Sequence, residues 1–492
     1  MWVLQLLSPF PTGLPQNWGR RQLCARLGVY SMPGSEHVAW IVRLVKTDAE
    51  GETRCSDVMA FERPNGLHTL AELGLTLAEA KQLLAAVQQQ IVAEQAADHT
   101  AHVPTCPDCG SFCRVKDYRP RAVATLFGRV MVRLPRFRCV ACCKIERGIR
   151  WPAHCRSTPE LDQLQAHLSA LMTYRTAADL LVQMFPIDAS KDPETLRRRV
   201  LKAGAALEAQ AAATTAAPAA TRSVTLDGTF VRSCEPGERH LEVRVGNVET
   251  STGARQVFAA VVGADTDIAA LIHRNLTSVG RAADTTLTAF TDGCPGLRNI
   301  LADAGITTAP MLDWFHIAMR LNHLKQVADA ISATNPGQEK AKAAIVNEVE
   351  RLRWRLWNGK VTNARISIDR IHAMMRHFRG EHDRKSRGAS AGKLWAALHA
   401  LDKYLIGQNE WLVNYAGRYR AGLRVGTSIT EGTANFLVNR RMNKLQQMRW
   451  SRRGADLLLQ VRCAAYNGAF GSVFGQRFHP ANDTAPLAAN AA

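Results

Sequence analysis

Three acidic residues stand where they could hold a divalent cation: Asp227 in Leu-Asp-Gly-Thr, Asp292 in Thr-Asp-Gly-Cys and Glu431 in Thr-Glu-Gly-Thr. Apolar runs precede both aspartates and read as strands. Each carboxylate then closes a strand of an α/β pattern, where side chains project into the crevice that binds ligands in such folds. Mg2+ or Mn2+ takes hard oxygen ligands and keeps several waters, so two or three carboxylates suffice when phosphate oxygens fill the other positions. Two such ions about 3.5–4 Å apart can activate a water or a 3′-hydroxyl and stabilise the leaving oxygen. Phosphoryl transfer rests on positioning and charge stabilisation and needs no protein nucleophile. A single Asp-Gly is more often a turn; two of them, each closing a strand, carry more weight. Asp313 ends the next short strand and rivals Asp292 as second ligand. Asp292 is preferred because its strand belongs beside the first. Glu431 lies near the start of a helix with Asn435 one turn on, so both face one side. The same segment then presents Arg440, Arg441 and Lys444, bases suited to DNA phosphates.

A second constellation is Cys106-Pro-Asp-Cys109 followed by Cys139-Val-Ala-Cys142. Two thiolate pairs on short knuckles, joined by a hairpin, can present four sulfurs tetrahedrally to Zn2+. Four sulfurs leave no open position, so a structural ion is expected rather than a catalytic one. Cys113 and Cys143 leave the register open, since either could replace a neighbour, and Cys155 is near.

The elements that must position these residues follow from periodicity. Val38 to Val45 reads as a strand, and Thr76 as the N-cap of a helix running to Glu94. Ala122–Leu126 and Arg129–Arg133 read as a hairpin turned at Phe127-Gly128. Between 157 and 207 the pattern is helical. Asp192-Pro193 caps a helix that carries Arg197, Arg198 and Arg199. A short helix, a loop and this basic helix resemble a DNA-binding helix-turn-helix; a plain bundle with a solvated basic face is the alternative. An alanine-rich stretch then places a domain boundary near 221. Beyond it the order is three antiparallel strands, a helix, a strand, a helix and a strand, the order of an RNase H-like core. From Phe315 to about Arg420 the pattern is helical, and an all-α insertion is expected there. Arg351 to Trp357 interleaves cations with Trp354 and Trp357. It reads either as a stacking surface for bases or as a helix with buried tryptophans and a solvated basic face. The expected organisation is an accessory region over 1–100, a zinc ribbon over 101–155 and a helical region over 156–210. The core halves cover 221–320 and 421–480, the insertion 321–420, and a disordered tail 481–492.

The 492 residues carry a formal charge of +19, which points to a polyanionic partner, nucleic acid being the usual one. No run is apolar enough to span a bilayer, and the N-terminus lacks the basic region of a signal peptide. A cytoplasmic, nucleoid-associated protein with reduced cysteines is expected.

Four stretches together resemble the bacterial insertion-sequence transposases of the ISKra type, within the DDE superfamily. They are Leu-Asp-Gly-Thr-Phe-Val-Arg at 226–232, Asp-Gly-Cys-Pro-Gly-Leu-Arg at 292–298, Leu-Asp-Trp-Phe-His-Ile-Ala-Met-Arg-Leu at 312–321, and the segment from Thr430 to Trp450. The resemblance runs from the cysteine pairs to about 480. It implies an RNase H-like fold, an Asp227–Asp292–Glu431 triad with Mg2+ or Mn2+, and terminal inverted repeats as substrate. It also implies a homo-oligomer, a dimer or larger, on paired double-stranded DNA ends. Gly432 stands where the family has serine. Asp313-Trp314-Phe315-His316 resembles the acidic-x-x-His element of several DDE groups, which puts His316 beside the active site to orient a phosphate or stabilise a flipped base. The simpler alternative is that Asp313 caps the helix containing His316. The competing functions are an inactive, domesticated DNA-binding regulator and a structure-specific nuclease of RNase H fold.

Overall fold

A computed structural model describes residues 2–5, 28–30, 37–48, 51–64, 66, 69–147, 156–187, 192–209, 221–250, 253, 255–281, 287–378, 389–426, 428–443, 448–468 and 470. The expected tail over 481–492 lies outside them. The chain is mixed α/β and divides into two compact units, one up to Val200 and one over Leu201–Phe470. Among the described residues no helix is long and apolar enough to cross a membrane.

In the first unit β1 (Trp2–Gln5), β2 (Gly28–Tyr30), β3 (His37–Thr47) and β4 (Thr53–Pro64) form an antiparallel sheet built on β3. The helix α1 (Leu77–Ala101) starts at Thr76 as expected. The Thr76 hydroxyl accepts the Glu79 N–H while the Glu79 carboxylate accepts the Thr76 N–H, a capping box. Next, β5 (Cys113–Thr125) and β6 (Gly128–Cys139) form a hairpin, with β7 (Ile145–Arg147) paired to β6. The arms are more than twice as long as their apolar pattern predicts. Pro120 and Pro135, residues that usually end or edge a strand, sit inside the ladder opposite Arg133 and Tyr118. Three helices follow, α2 (Pro159–Leu171), α3 (Tyr174–Met184) and α4 (Pro193–Ala209). The Asp192 carboxylate accepts the N–H groups of Glu194 and Thr195, the predicted cap.

The unit boundary falls inside α4, not near 221. The C-terminal half of α4 belongs to the second unit because it packs there. A Cβ on Gly204 would sit 2.3 Å from the Leu457 carbonyl oxygen, and Glu208 accepts the Thr266 hydroxyl at 2.7 Å.

The second unit holds a five-stranded sheet in the order β10-β9-β8-β11-β12. Its strands are β8 (Thr221–Arg232), β9 (His240–Thr250), β10 (Arg255–Val261), β11 (Thr288–Thr291) and β12 (Met311–Leu312). The first three pair antiparallel, and β11 and β12 run parallel to β8. Side chains alternate across the sheet. Val224 and Leu226 of β8 join a core with α5 (Ile268–Ser278) and α6 (Pro295–Asp303), through Ile272, Leu276, Leu297 and Leu301. Thr225 and Asp227 face the other side.

Between β12 and the final segment lie α7 (Trp314–Asp329), α8 (Pro336–Trp357), α9 (Val361–Met374), α10 (Ala389–Gly407) and α11 (Tyr415–Arg420). Leu321, Leu324, Ile345, Val349, Leu352 and Leu356 share a core, as their helical spacing predicts. The final segment holds α12 (Ser428–Ala434), a π-helix over Asn435–Asn443 and α13 (Arg452–Tyr466). α13 lies on β10, where the Asp456 carboxylate accepts the Val261 N–H at 2.9 Å.

Candidate functional site

Strand register brings the aspartates together. Thr225 of β8 pairs with Phe290 of β11, and Phe290 pairs with Met311 of β12, all in parallel. Two residues beyond each of these three positions stands an aspartate: Asp227, Asp292 and Asp313. The three occupy one level across neighbouring strands, which are spaced about 4.8 Å apart. Asp227 does not end its strand, as the sequence suggested, because β8 runs on to Arg232 against β9. The pairing of β8 with β11 has stopped at Thr225, so the β11 side of Asp227 is open.

Asp227, Asp292 and His316 line a single open cleft of about 590 Å³, together with Gly432, Asn435 and Asn439. The Asp227 carboxylate accepts the Gly228 N–H at 2.8 Å, and that of Asp292 accepts the Cys294 N–H at 2.8 Å. Asp313 is fully buried and caps α7, accepting the Phe315 N–H at 2.8 Å. Its other oxygen lies 3.6 Å from the His316 Nε2. The capping reading of Asp313 therefore holds, and the cleft is lined by Asp292 rather than by its rival. Burial pushes the Asp227 carboxyl above its ordinary range. The Gly228 N–H and His316 oppose the shift, while Asp292 and Asp313 add to it. Two carboxylates, Asp227 and Asp292, thus face the cleft beside His316, while Asp313 lies behind them as the α7 cap.

The chain fixes the loop after Asp292 from far away in sequence. The Tyr404 hydroxyl donates to the Asp292 carbonyl at 2.9 Å, and Gln408 Nε2 donates to the Gly293 carbonyl at 2.9 Å. Arg298 donates to the same Gly293 carbonyl at 2.7 Å while its guanidinium stacks 3.5 Å from the centre of the Trp411 ring. Gly293 has φ +96°, a conformation that favours glycine, and a Cβ there would lie 2.8 Å from the Gln408 side chain. Burial pushes the Tyr404 phenol up, so it remains a donor. Nothing in the sequence near Asp292 signals Tyr404 or Gln408, which lie over a hundred residues on.

The last segment is docked on the same face of the sheet as Asp227. Buried Thr430 accepts from Asn247 Nδ2 at 3.2 Å and donates to Thr225, while Thr225 donates to Asn247 Oδ1 at 2.8 Å. Glu431 follows Thr430 in α12, and its side chain falls outside the described ones. Beyond α12 the helix widens into the π form, which brings Asn435 and Asn439 to the cleft. Such turns are rare and frequent at functional sites. The widening frees carbonyls that a buried arginine takes up: Arg462 of α13 donates to Leu437 at 2.6 Å and to Phe436. Burial pushes Arg462 down to about 10.

The four sulfurs of Cys106, Cys109, Cys139 and Cys142 lie within 4.8 Å of one another and could bind a structural metal such as zinc. The register is settled by backbone. Cys106 N–H donates to the Ser111 carbonyl at 2.8 Å, and Cys139 N–H donates to that of Lys144 at 2.9 Å, so the two knuckles repeat one turn. In both, the residue after the second ligand is left-handed: Gly110 at φ +69° and Cys143 at φ +59°. Cys143 is the turn residue and is exposed; Cys113 opens β5 opposite Cys139. Cys155 lies outside the described residues. The Ser111 N–H and hydroxyl hold Cys109 down to about 6. The Lys144 N–H pulls Cys142 down as well, yet the hydrogen bonds of Cys106 and Cys139 and burial leave it pushed up to about 12.

The bases expected to meet DNA fare differently. Arg197 and Arg198 share Glu194, at 2.7 and 3.1 Å, and Arg199 donates to Gln165 at 3.0 Å. Arg440 is exposed. Arg441 is not a surface contact: it is 2% exposed, 5.6 Å from the Trp450 ring, because the π-helix turns it inward. Lys444 lies outside the described residues. Trp357 is packed against Trp314 at 4.8 Å, whereas Trp354 is 55% exposed with Lys360 over its ring at 4.5 Å. No protein-family model matches the chain, and a search of curated proteins finds no match.

Proposed function

We propose that the chain is a DNA transposase of the DDE type. It would cut and join double-stranded DNA at the terminal inverted repeats of an insertion sequence. The observation that carries this reading is the shared level of Asp227 and Asp292 at the mouth of a cleft that α12 and its π-helix border. In this reading the sheet with α5 and α6 is an RNase H-like core, α7 to α11 are an all-α insertion, and the cysteine hairpin is a zinc ribbon. The resemblance of the segments around Asp227, Asp292 and Thr430–Trp450 to ISKra-type transposases supports it.

Asp227, Asp292 and Glu431 would hold Mg2+ or Mn2+. When bound, the ions polarise the phosphate and lower the pKa of the attacking water or 3′-hydroxyl. The protein's own part is positional. Tyr404, Gln408 and Arg298 hold the backbone of the Asp292 loop still, and the Thr225–Asn247–Thr430 triad holds the start of α12 on the sheet. His316 offers a donor to a phosphate oxygen in the same cleft. Asn435 and Asn439 offer uncharged amide groups to the nucleic acid without competing for the cation. A homo-oligomer on paired ends follows from the family reading.

The test uses linear DNA bounded by the inverted repeats flanking the gene. Cleavage and strand transfer should require Mg2+ or Mn2+. Asp227→Ala and Glu431→Gln should each lower the rate on the order of a thousandfold or more while leaving DNA binding intact. Cleavage at the native rate in Asp227→Ala would refute the site. Cutting of branched DNA without end joining would assign a structure-specific nuclease instead. Binding without any cutting would assign a DNA-binding regulator.

A further inference from the structure

The hairpin β5–β6 carries a charge distribution that its own fold does not explain. Arg114, Lys116 and Arg119 of β5 and Arg129, Arg133 and Arg138 of β6 are all exposed. The two strands contain a single acidic residue, Asp117, which is taken by Arg136. Among the described residues none of the six cations forms a salt bridge with a carboxylate. On α4 of the same unit, by contrast, Arg197 and Arg198 share Glu194.

Two of the six also oppose each other. Arg114 and Arg138 are direct cross-strand partners, one step from the Cys113–Cys139 pair at the base of the hairpin. Like charges directly opposite in a ladder are destabilising. A ribbon shaped only by its own stability would not keep this pair, and a polyanion lying across it removes the cost.

The shape narrows the choice of polyanion. From Tyr118 to Pro135 the hairpin is a two-stranded antiparallel ribbon, a shape that enters the major groove of B-form DNA, about 12 Å wide; at its base β7 adds a third strand beside Arg136–Arg138. The major groove of A-form RNA is too deep and narrow for protein elements to read. We propose that the hairpin Cys113–Cys139 is a double-stranded-DNA-binding ribbon. Arg114, Arg119 and Arg138, which the pairing register places on one face, contact phosphates, and the four-cysteine cluster clamps the base of the ribbon against the Arg114–Arg138 repulsion. This goes beyond the cleft chemistry and does not depend on it, because binding is read without Mg2+ or cutting.

The experiment is fluorescence anisotropy of the full chain on a duplex of arbitrary sequence, about 30 base pairs long, in Mg2+-free buffer from about 50 to 200 mM salt. Removing one cation that neutralises a phosphate should flatten the slope of log K against log salt by about 0.9. Arg114→Thr with Arg138→Thr should therefore flatten it by about 1.8 and weaken binding at about 0.1 M salt on the order of tenfold or more. The same double variant should melt no lower than the native chain. Arg114→Lys with Arg138→Lys should keep most of the binding. Lys340→Gln with Lys403→Gln, an equal loss of charge in the other unit, should change little. Equal weakening by the Lys340/Lys403 pair would mean that binding tracks net charge alone and would overturn the proposal. So would undiminished binding by the Arg114/Arg138 threonine variant, or equal affinity for duplex RNA of the same sequence.

Discussion

Asp227→Asn is the sharpest probe of the cleft, because it removes a charge and little else. The amide keeps the volume, and its oxygen can keep the Gly228 N–H that the carboxylate accepts at 2.8 Å. At one strand spacing, near 5 Å, two like charges repel by about 3 kcal/mol at an effective dielectric near 20. His316 offsets part of this. The metal-free variant should therefore be more stable than the native chain at pH 7, by about 1–2 kcal/mol. For a unit the size of Leu201–Phe470 that is a rise of about 2–8 °C in melting temperature. Linkage gives the same sign. The folded Asp227 carboxyl titrates above its ordinary 3.8, chiefly through burial, so the native chain holds the associated stability at low pH. It loses that stability as pH rises through the raised value. The advantage of asparagine should be absent below pH 3.8 and open towards neutrality. Divalent cation should then act the other way. At about a hundred times its Kd an ion bound only by the native fold adds about 2.7 kcal/mol. Saturating Mg2+ or Mn2+ should raise the native melting temperature by about 5–10 °C and the variant's far less. The assay is a thermal melt of both chains from about pH 3 to 8, with and without Mg2+ or Mn2+. A variant that melts below the native chain without metal, or that gains as much from metal, would refute the assignment of Asp227.

Two further outcomes test the metal cluster and the helical core. Cys142→Ser should release the structural ion, as seen by native mass spectrometry, whereas Cys143→Ser should retain it, since Cys143 only forms the turn. Trp357→Ala should cost about 3–5 kcal/mol in chemical denaturation because its ring is locked between Trp314 and Tyr415. Trp354→Ala should stay within about 0.5 kcal/mol because that ring is exposed.

Two buried arginines support the segment that borders the cleft. Arg462 and Arg441 are both fully buried cations, and the field of Arg441 adds to the burial that pulls Arg462 down. What Arg462 supplies in return is the pair of hydrogen bonds that stabilises the π-helix carrying Asn435 and Asn439 into the cleft. The region that most departs from regular helix is thus held by a buried arginine of α13.

Local order was legible in the chain itself. The Thr76 cap, the Asp192 cap and the helical spacing of Leu321, Leu324, Val349 and Leu352 all depend on residues within a turn or two of each other, where backbone geometry fixes who meets whom. The two cysteine pairs were legible for the same reason. What the tertiary structure alone decided is register and facing. Whether Cys109 or Cys113 joins the cluster depends on how two knuckles meet across the hairpin, and whether Arg441 faces solvent depends on a π-helix that local propensity does not encode. The aspartates show the division most clearly. Sequence put Asp227, Asp292 and Asp313 each just past an apolar run, but it could not align them. Parallel pairing of Thr225 with Phe290 and of Phe290 with Met311 does that, because register is set by contacts between strands far apart in the chain.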